Sequence, residues 1–223
     1  MNSKTERLNA LFDRWRQRYE ERGGKFAPDG ILDDVDWAHA PQKLLFLLKE
    51  TNKYSGDIRK HIVQEWRAPW PFVAMWAYGL KNVKASRIPE FAVANDPRNY
   101  KPALESSAVM NLKKLTGVGS SIREELLEAT KDDKDFINEE LGIIQPDIIV
   151  CGGTFDIVNK IIQRDGLEHP IGPDRKCFLS GKTLWIRFWH PSARYPHDMM
   201  YYGLTAIYQN YLRWADTGGR VGC

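Results

Sequence analysis

Apolar residues along the chain fall into two kinds of pattern. Leu8, Leu11, Phe12, Trp15 and Tyr19 stand at helical spacing and predict an amphipathic first helix, stopped by Gly23-Gly24. Short continuous apolar runs read instead as strands buried on both faces. Four such runs occur, at residues 43–48, 107–112, 146–151 and 183–189, the last with an alternation that suggests one exposed face. Between them, residues 57–80 are aromatic-rich and helical in pattern, broken by Pro69 and Pro71. Residues 82–104 carry Pro89, Pro97 and Pro102 and read as an irregular excursion. Helices are predicted over 121–131, with Ser120 as cap, over 135–141, after Gly152-Gly153 at Thr154, and over 198–214.

Strands alternating with helices imply right-handed crossovers. The expected fold is therefore a single-domain, three-layer α/β/α arrangement around a mostly parallel sheet of about four strands. Residues 1–42 would be a helix and loop packing on the core, 43–214 the α/β domain and 215–223 a tail. Parallel sheets bind ligands beyond the carboxyl ends of their strands. The polar residues just past the strands are Glu50 with Asn52, Asn111, Thr154, and His190 with Ser192. All are expected on one rim.

Composition narrows the partners. A chain of 223 residues with 43% hydrophobic and 27% charged residues suits one soluble domain with a sizeable core. Eight Trp, nine Tyr and nine Phe are many; near a cleft such rings stack on flat ligands. The net charge of +3 permits a polyanionic partner without requiring one. Cys151, Cys177 and Cys223 stand far apart, with no C-x-x-C pair to hold zinc or an iron–sulfur cluster. An odd cysteine count without a secretory signal fits a reducing cytoplasm. No run approaches the ~20 apolar residues of a membrane span. The expectation is a monomer without cofactor, metal or membrane partner.

In this order of motifs the chain resembles the uracil-DNA glycosylase superfamily. The resemblance rests on Leu47-Leu48-Lys49-Glu50-Thr51-Asn52, on Val109-Met110-Asn111-Leu112, on the Gln145-Pro146-Asp147 strand and on Trp189-His190-Pro191-Ser192. It spans residues 45–210. The first motif departs from the glycine-rich Gly-Glu-Ala-Pro-Gly common there, and the cluster-binding cysteines of some members are absent. The resemblance implies the family's α/β fold and a hydrolase of the monofunctional DNA-glycosylase type, serving base-excision repair with DNA as partner.

Cleaving an N-glycosidic bond develops positive charge on the sugar and negative charge on the departing base. Glu50 suits the sugar side, and His190 suits the base side, where an imidazole N–H can meet a developing oxyanion. Asn111 offers an acceptor and donors that match the uracil edge and oppose cytosine with like against like. The resemblance adds Asn52 and Phe72 to the base pocket, Phe72 as the stacking ring, and it adds Ser192, Arg194 and Tyr195 as DNA contacts. Each residue also has a plainer reading. Glu50 would be a solvated carboxylate, Asn111 a strand-end backbone partner, His190 a turn residue and Phe72 core. Gly152-Gly153 would be a phosphate cradle or merely a tight turn. Two other functions remain open: a non-catalytic nucleic-acid-binding relative, and an enzyme acting on a small nucleoside or nucleotide.

Overall fold

The structure, a computed structural model, describes residues 3–20, 25–52, 54–117 and 122–218; Gly23-Gly24, Ser120 and Cys223 lie outside them. In chain order the strands are β1 (Gly30–Ile31), β2 (Leu44–Asn52), β3 (Ala108–Gly117), β4 (Ile148–Gly152), β5 (Pro170–Ile171), β6 (Cys177–Ser180) and β7 (Thr183–Phe188). They form one sheet in the order β1-β3-β2-β4-β7-β6-β5. The four apolar runs make its centre, β3-β2-β4-β7, in which every neighbouring pair is parallel. Antiparallel β1, β6 and β5 complete the edges.

The described sheet is thus seven-stranded and mixed, not a mostly parallel sheet of about four. The two-residue strands β1 and β5 are too short to show a period. β6 joins β7 through a two-residue loop at Gly181-Lys182, where Gly181 takes φ +59°. A hairpin of that length needs such a left-handed residue.

The helices, again in chain order, are α1 (Lys4–Glu20), α2 (Asp34–His39), α3 (Ile58–Glu65), α4 (Trp70–Asn82), α5 (Phe91–Ala94), α6 (Pro97–Glu105), α7 (Arg123–Asp132), α8 (Lys134–Ile144), α9 (Phe155–Ile161) and α10 (His197–Asp216). The prolines of 82–104 therefore do not make an irregular stretch throughout. Pro97 opens α6, where a missing N–H costs nothing, and the Asp96 carboxylate accepts from Arg98 N–H to cap it.

The pleat sorts the core into two layers. Phe46, Leu48, Val109, Val150 and Ile186 face α3, α4, α6 and α10. Leu45, Leu47, Met110, Ile149, Cys151 and Trp185 face α1, α7, α8 and α9. Helices on both faces bury the apolar residues of the central strands, which is why those strands read as apolar runs. The five apolar residues of α1 are all buried against the second face, so this helix is part of the core. Chain direction matters for the site. From β2 the chain crosses to β3 on one side, whereas from β4 it crosses to β7 on the other. The sheet's switch point lies between β2 and β4, the place where such sheets hold ligands.

Candidate functional site

Beyond that edge opens a cavity of about 500 Å³. Glu50 of β2, Asn111 within β3 and His190 just past β7 line it together. Phe72, Ser192, Arg194 and Tyr195 line it too. The register explains the first pair: Leu48 lies opposite Asn111 and Glu50 opposite Lys113, so both strands turn alternate residues to the same face. Thr154 is elsewhere. It is buried, and its hydroxyl donates to the Leu47 carbonyl at 2.9 Å. The Asn52 side chain lies outside the described residues.

Asn111 is 2% exposed and is held by a residue the sequence pattern hides. Asp29 Oδ2 accepts the Asn111 backbone N–H at 2.7 Å and its Nδ2–H at 3.1 Å. The other oxygen, Oδ1, accepts from Lys114 Nζ at 2.5 Å, and Nζ also meets Glu140 Oε2 at 2.7 Å. All three charged side chains are fully buried. A carboxamide carries two donor hydrogens and one acceptor oxygen. With one hydrogen committed to Asp29, Asn111 keeps an acceptor and one donor, and among the described residues nothing else bonds them.

His190 presents a defined tautomer. Its Nδ1 accepts the Ser192 backbone N–H at 3.2 Å and lies 2.6 Å from Ser192 Oγ. In a neutral imidazole the proton then sits on Nε2. Burial, and secondarily the positive Lys49, lowers the His190 pKa from 6.5 to about 4. The ring is therefore a neutral N–H donor at physiological pH. Because the folded pKa lies below the unfolded one, the associated stability is present above pH 6.5 and is lost as pH falls toward 4. A nitrogen-15 NMR titration should find Nδ1 unprotonated and Nε2 protonated at pH 6, with a midpoint near 4. A midpoint at 6.5 would overturn the assignment. The Ser192 hydroxyl and N–H are both engaged with this ring, which is the physical use of a His-Pro-Ser turn here.

Glu50 has a side chain only 2% exposed, with Oε2 at 2.9 Å from Lys113 Nζ. The contact lies off the hydrogen-bond direction, so it is best described as an ion pair. Lys113 also reaches Glu125 at 3.1 Å. Burial opposes the Lys113 ammonium, but Glu50 and Glu125 together outweigh it and raise its pKa. Glu50 is thus a desolvated, paired carboxylate, not a solvated one.

Rings close the remaining walls. Phe72 stacks on His197 with centroids 3.5 Å apart, so one face of the expected stacking platform is taken. Tyr54 stacks on His61 at 4.1 Å. Three of the chain's five histidines, His61, His190 and His197, line the one cavity. Tyr54, His61 and His197 were not legible from sequence as site residues, because each joins the cavity only through the packing of α3, the loop before it, and α10. Arg194 and Tyr195 are exposed on the loop after His190, with Tyr195 against Trp189.

The Gly152-Gly153 turn brings this loop close. A Cβ on Gly152 would come within 2.7 Å of Leu48 Cδ2, and Gly153 takes φ +69° beside His190. The pair is a tight strand-to-helix turn that lets His190-Pro191 lie against β4. On the far flank of His190 a second cavity of about 520 Å³ is lined by Lys49, Lys176, Arg187 and Trp189. Burial pushes the Cys151 and Cys177 thiols up to about 12, so neither is a nucleophile. Among the described residues no group of three or more His, Cys, Asp and Glu is placed to hold a metal ion, and no helix is long and apolar enough to cross a membrane.

Compared with known proteins, the chain matches no protein-family model and no curated protein. The cavity's own chemistry is what remains to read. It combines a desolvated carboxylate, a neutral imidazole N–H, and an oriented carboxamide within aromatic walls. Such a set can hold a flat heterocycle by its edge and act on opposite charges developing at its two ends.

Proposed function

We propose that this protein is a DNA-glycosylase-like hydrolase that cleaves the N-glycosidic bond of uracil or a related base. The observation that carries the reading is the convergence of Glu50, Asn111 and His190 on one cavity. In the proposed reaction the base leaves C1′ with the bonding electrons, and His190 Nε2–H donates to the base oxygen where that charge accumulates. Glu50 stabilises the cationic sugar and orients the water that attacks C1′, whose proton passes to the carboxylate or to solvent. Asn111 reads the base edge with its free acceptor and donor. The pairing of Glu50 with Lys113 supports this role, since it sets a cation 2.9 Å from a side chain only 2% exposed.

DNA is the partner that Arg194, Tyr195 and the flanking Lys49, Lys176 and Arg187 best suit. A second reading is an enzyme for a free nucleoside or nucleotide, favoured by the size of the cavity, since about 500 Å³ holds such a ligand whole.

The deciding experiment measures base release from single- and double-stranded oligonucleotides carrying uracil and other altered bases, and from the matching nucleosides. Release from a uracil oligonucleotide is the expected result. Release from nucleosides alone would move the assignment to the second reading. No release anywhere, with salt-sensitive oligonucleotide binding, would make the protein a binding module.

A further inference from the structure

Asp29, Lys114 and Glu140 form the most heavily charged buried cluster among the described residues, and the reaction proposed above makes no direct use of it. Every side chain in it is fully buried. The Lys114 ammonium also stands over Phe12 at 5.5 Å and over Trp15 at 5.1 Å. A cluster this costly to desolvate has one outlet toward the cavity, through Asp29 Oδ2 to Asn111.

We propose that Asp29 is a specificity-determining positioning residue: held by Lys114, it locks the Asn111 carboxamide in one orientation and thereby decides which heterocycle edge the cavity accepts. The inference rests on the reading of Asn111 as the base-reading group.

The geometry leaves little freedom. Lys114 donates to Asp29 Oδ1, and Oδ2 then accepts both Asn111 N–H groups. A carboxylate offers only acceptors, so turning Asn111 over would set its oxygen against Asp29 Oδ2. The amide nitrogen stays toward Asp29.

That constraint matters because two pyrimidine edges differ by a carboxamide flip. A uracil edge has a ring N–H beside a carbonyl and needs the carboxamide oxygen at the ring position. A cytosine edge has a ring acceptor beside an amino group and needs the carboxamide nitrogen there. A freely turning Asn reads both; a locked one reads a single edge. Under the proposed function that edge is the imide edge of uracil.

Asp29→Asn is the informative change. The Lys114 ammonium draws the new carboxamide's oxygen to itself, which leaves the new NH₂ group facing Asn111. The Asn111 backbone N–H thereby loses its acceptor, while the Asn111 side chain turns its own oxygen toward position 29 and the reading edge inverts. Changing Asn111 directly is a poorer probe, since Asn111→Asp sets a second carboxylate against Asp29.

The test compares binding of oligonucleotides carrying uncleavable 2′-fluoro-2′-deoxyuridine or 2′-fluoro-2′-deoxycytidine. The parent should prefer the uridine probe, and Asp29→Asn should lower that preference by roughly ten- to a hundredfold, the value of one bidentate edge contact. Adding Lys114→Met should restore the preference, because without the ammonium the introduced carboxamide turns its oxygen back to Asn111; this double variant also serves where Asp29→Asn alone does not fold. Glu140→Gln should leave the preference as in the parent. A folded Asp29→Asn protein with unchanged preference would overturn the inference. If the parent binds neither probe, the proposed function fails, and the Asn111 side-chain amide decides the inference alone. One of its two hydrogens should exchange slowly by NMR in the parent and lose that protection in Asp29→Asn; two fast-exchanging hydrogens in the parent would overturn it.

Discussion

Glu50→Gln should lower single-turnover base release from a uracil oligonucleotide by about 10²–10⁴-fold while leaving binding of the 2′-fluoro-uridine probe within a few fold. The substitution keeps the side chain's shape and removes the charge that the cationic sugar requires. It should not unfold the protein, because Lys113 keeps its second partner, Glu125, at 3.1 Å. His190→Ala should lower the rate by about 10²–10³-fold, the usual effect of removing one preorganised donor to an oxyanion. Its Nδ1 is occupied by Ser192, so only the Nε2–H is available for the base. The parent's rate should carry no limb from His190 at pH 6.5, since this imidazole titrates near 4. Single-turnover rates with binding measured in parallel separate the two roles from simple loss of affinity. Unchanged release in either folded variant would remove that residue from the proposed reaction.

Much of this site was legible because a doubly covered parallel sheet writes itself as apolar runs with polar residues at their carboxyl ends. Glu50, Asn111 and His190 each end or directly follow such a run, and they meet in one cavity. What was hidden has a common cause, which is dependence on distant partners. Pro28-Asp29-Gly30 has the composition of a turn, yet Asp29 bonds Asn111 and Lys114, 82 and 85 residues away. Lys113-Lys114 resembles the solvated end of a strand, so the run was expected to stop at residue 112. Instead β3 continues to Gly117, because Lys113 meets Glu50 and Glu125 while Lys114 meets Asp29 and Glu140. A lysine in a strand is permitted wherever carboxylates await it, and no local pattern reveals that. The Phe72–His197 and Tyr54–His61 stacks likewise join residues from different elements or from a loop and a helix, and helical spacing alone assigned Phe72 no neighbour.

Removing the lysine at the centre of the buried cluster should have the largest effect on stability. Lys114→Ala leaves Asp29 and Glu140 facing each other in a dry interior with no cation. Breaking a buried ion pair from one side costs about 3–5 kcal/mol. In a domain of this size that corresponds to a Tm lower by roughly 6–20 °C. The triple change Asp29→Asn, Lys114→Met and Glu140→Gln should recover most of the loss, because it removes the desolvated charges together and fills the lysine's volume. Charge bookkeeping within the cluster adds a pH signature. Burial, reinforced by Asp29, raises the Glu140 pKa well above 4.5, although the Lys114 ammonium works against it. Burial also opposes Lys114, but its two carboxylate neighbours outweigh that and raise its pKa, so the ammonium persists. The folded state thus binds a proton at Glu140 more readily than the unfolded chain does. Its contribution to stability is complete below pH 4.5 and is lost as pH rises through the folded value. Between pH 4.5 and 7 the parent should therefore lose stability relative to Glu140→Gln. His190, whose linkage has the opposite sign, is common to both proteins and cancels from the difference. Denaturant unfolding at several pH values reads this directly, and parallel curves for parent and Glu140→Gln would mean that Glu140 is already ionised in the fold.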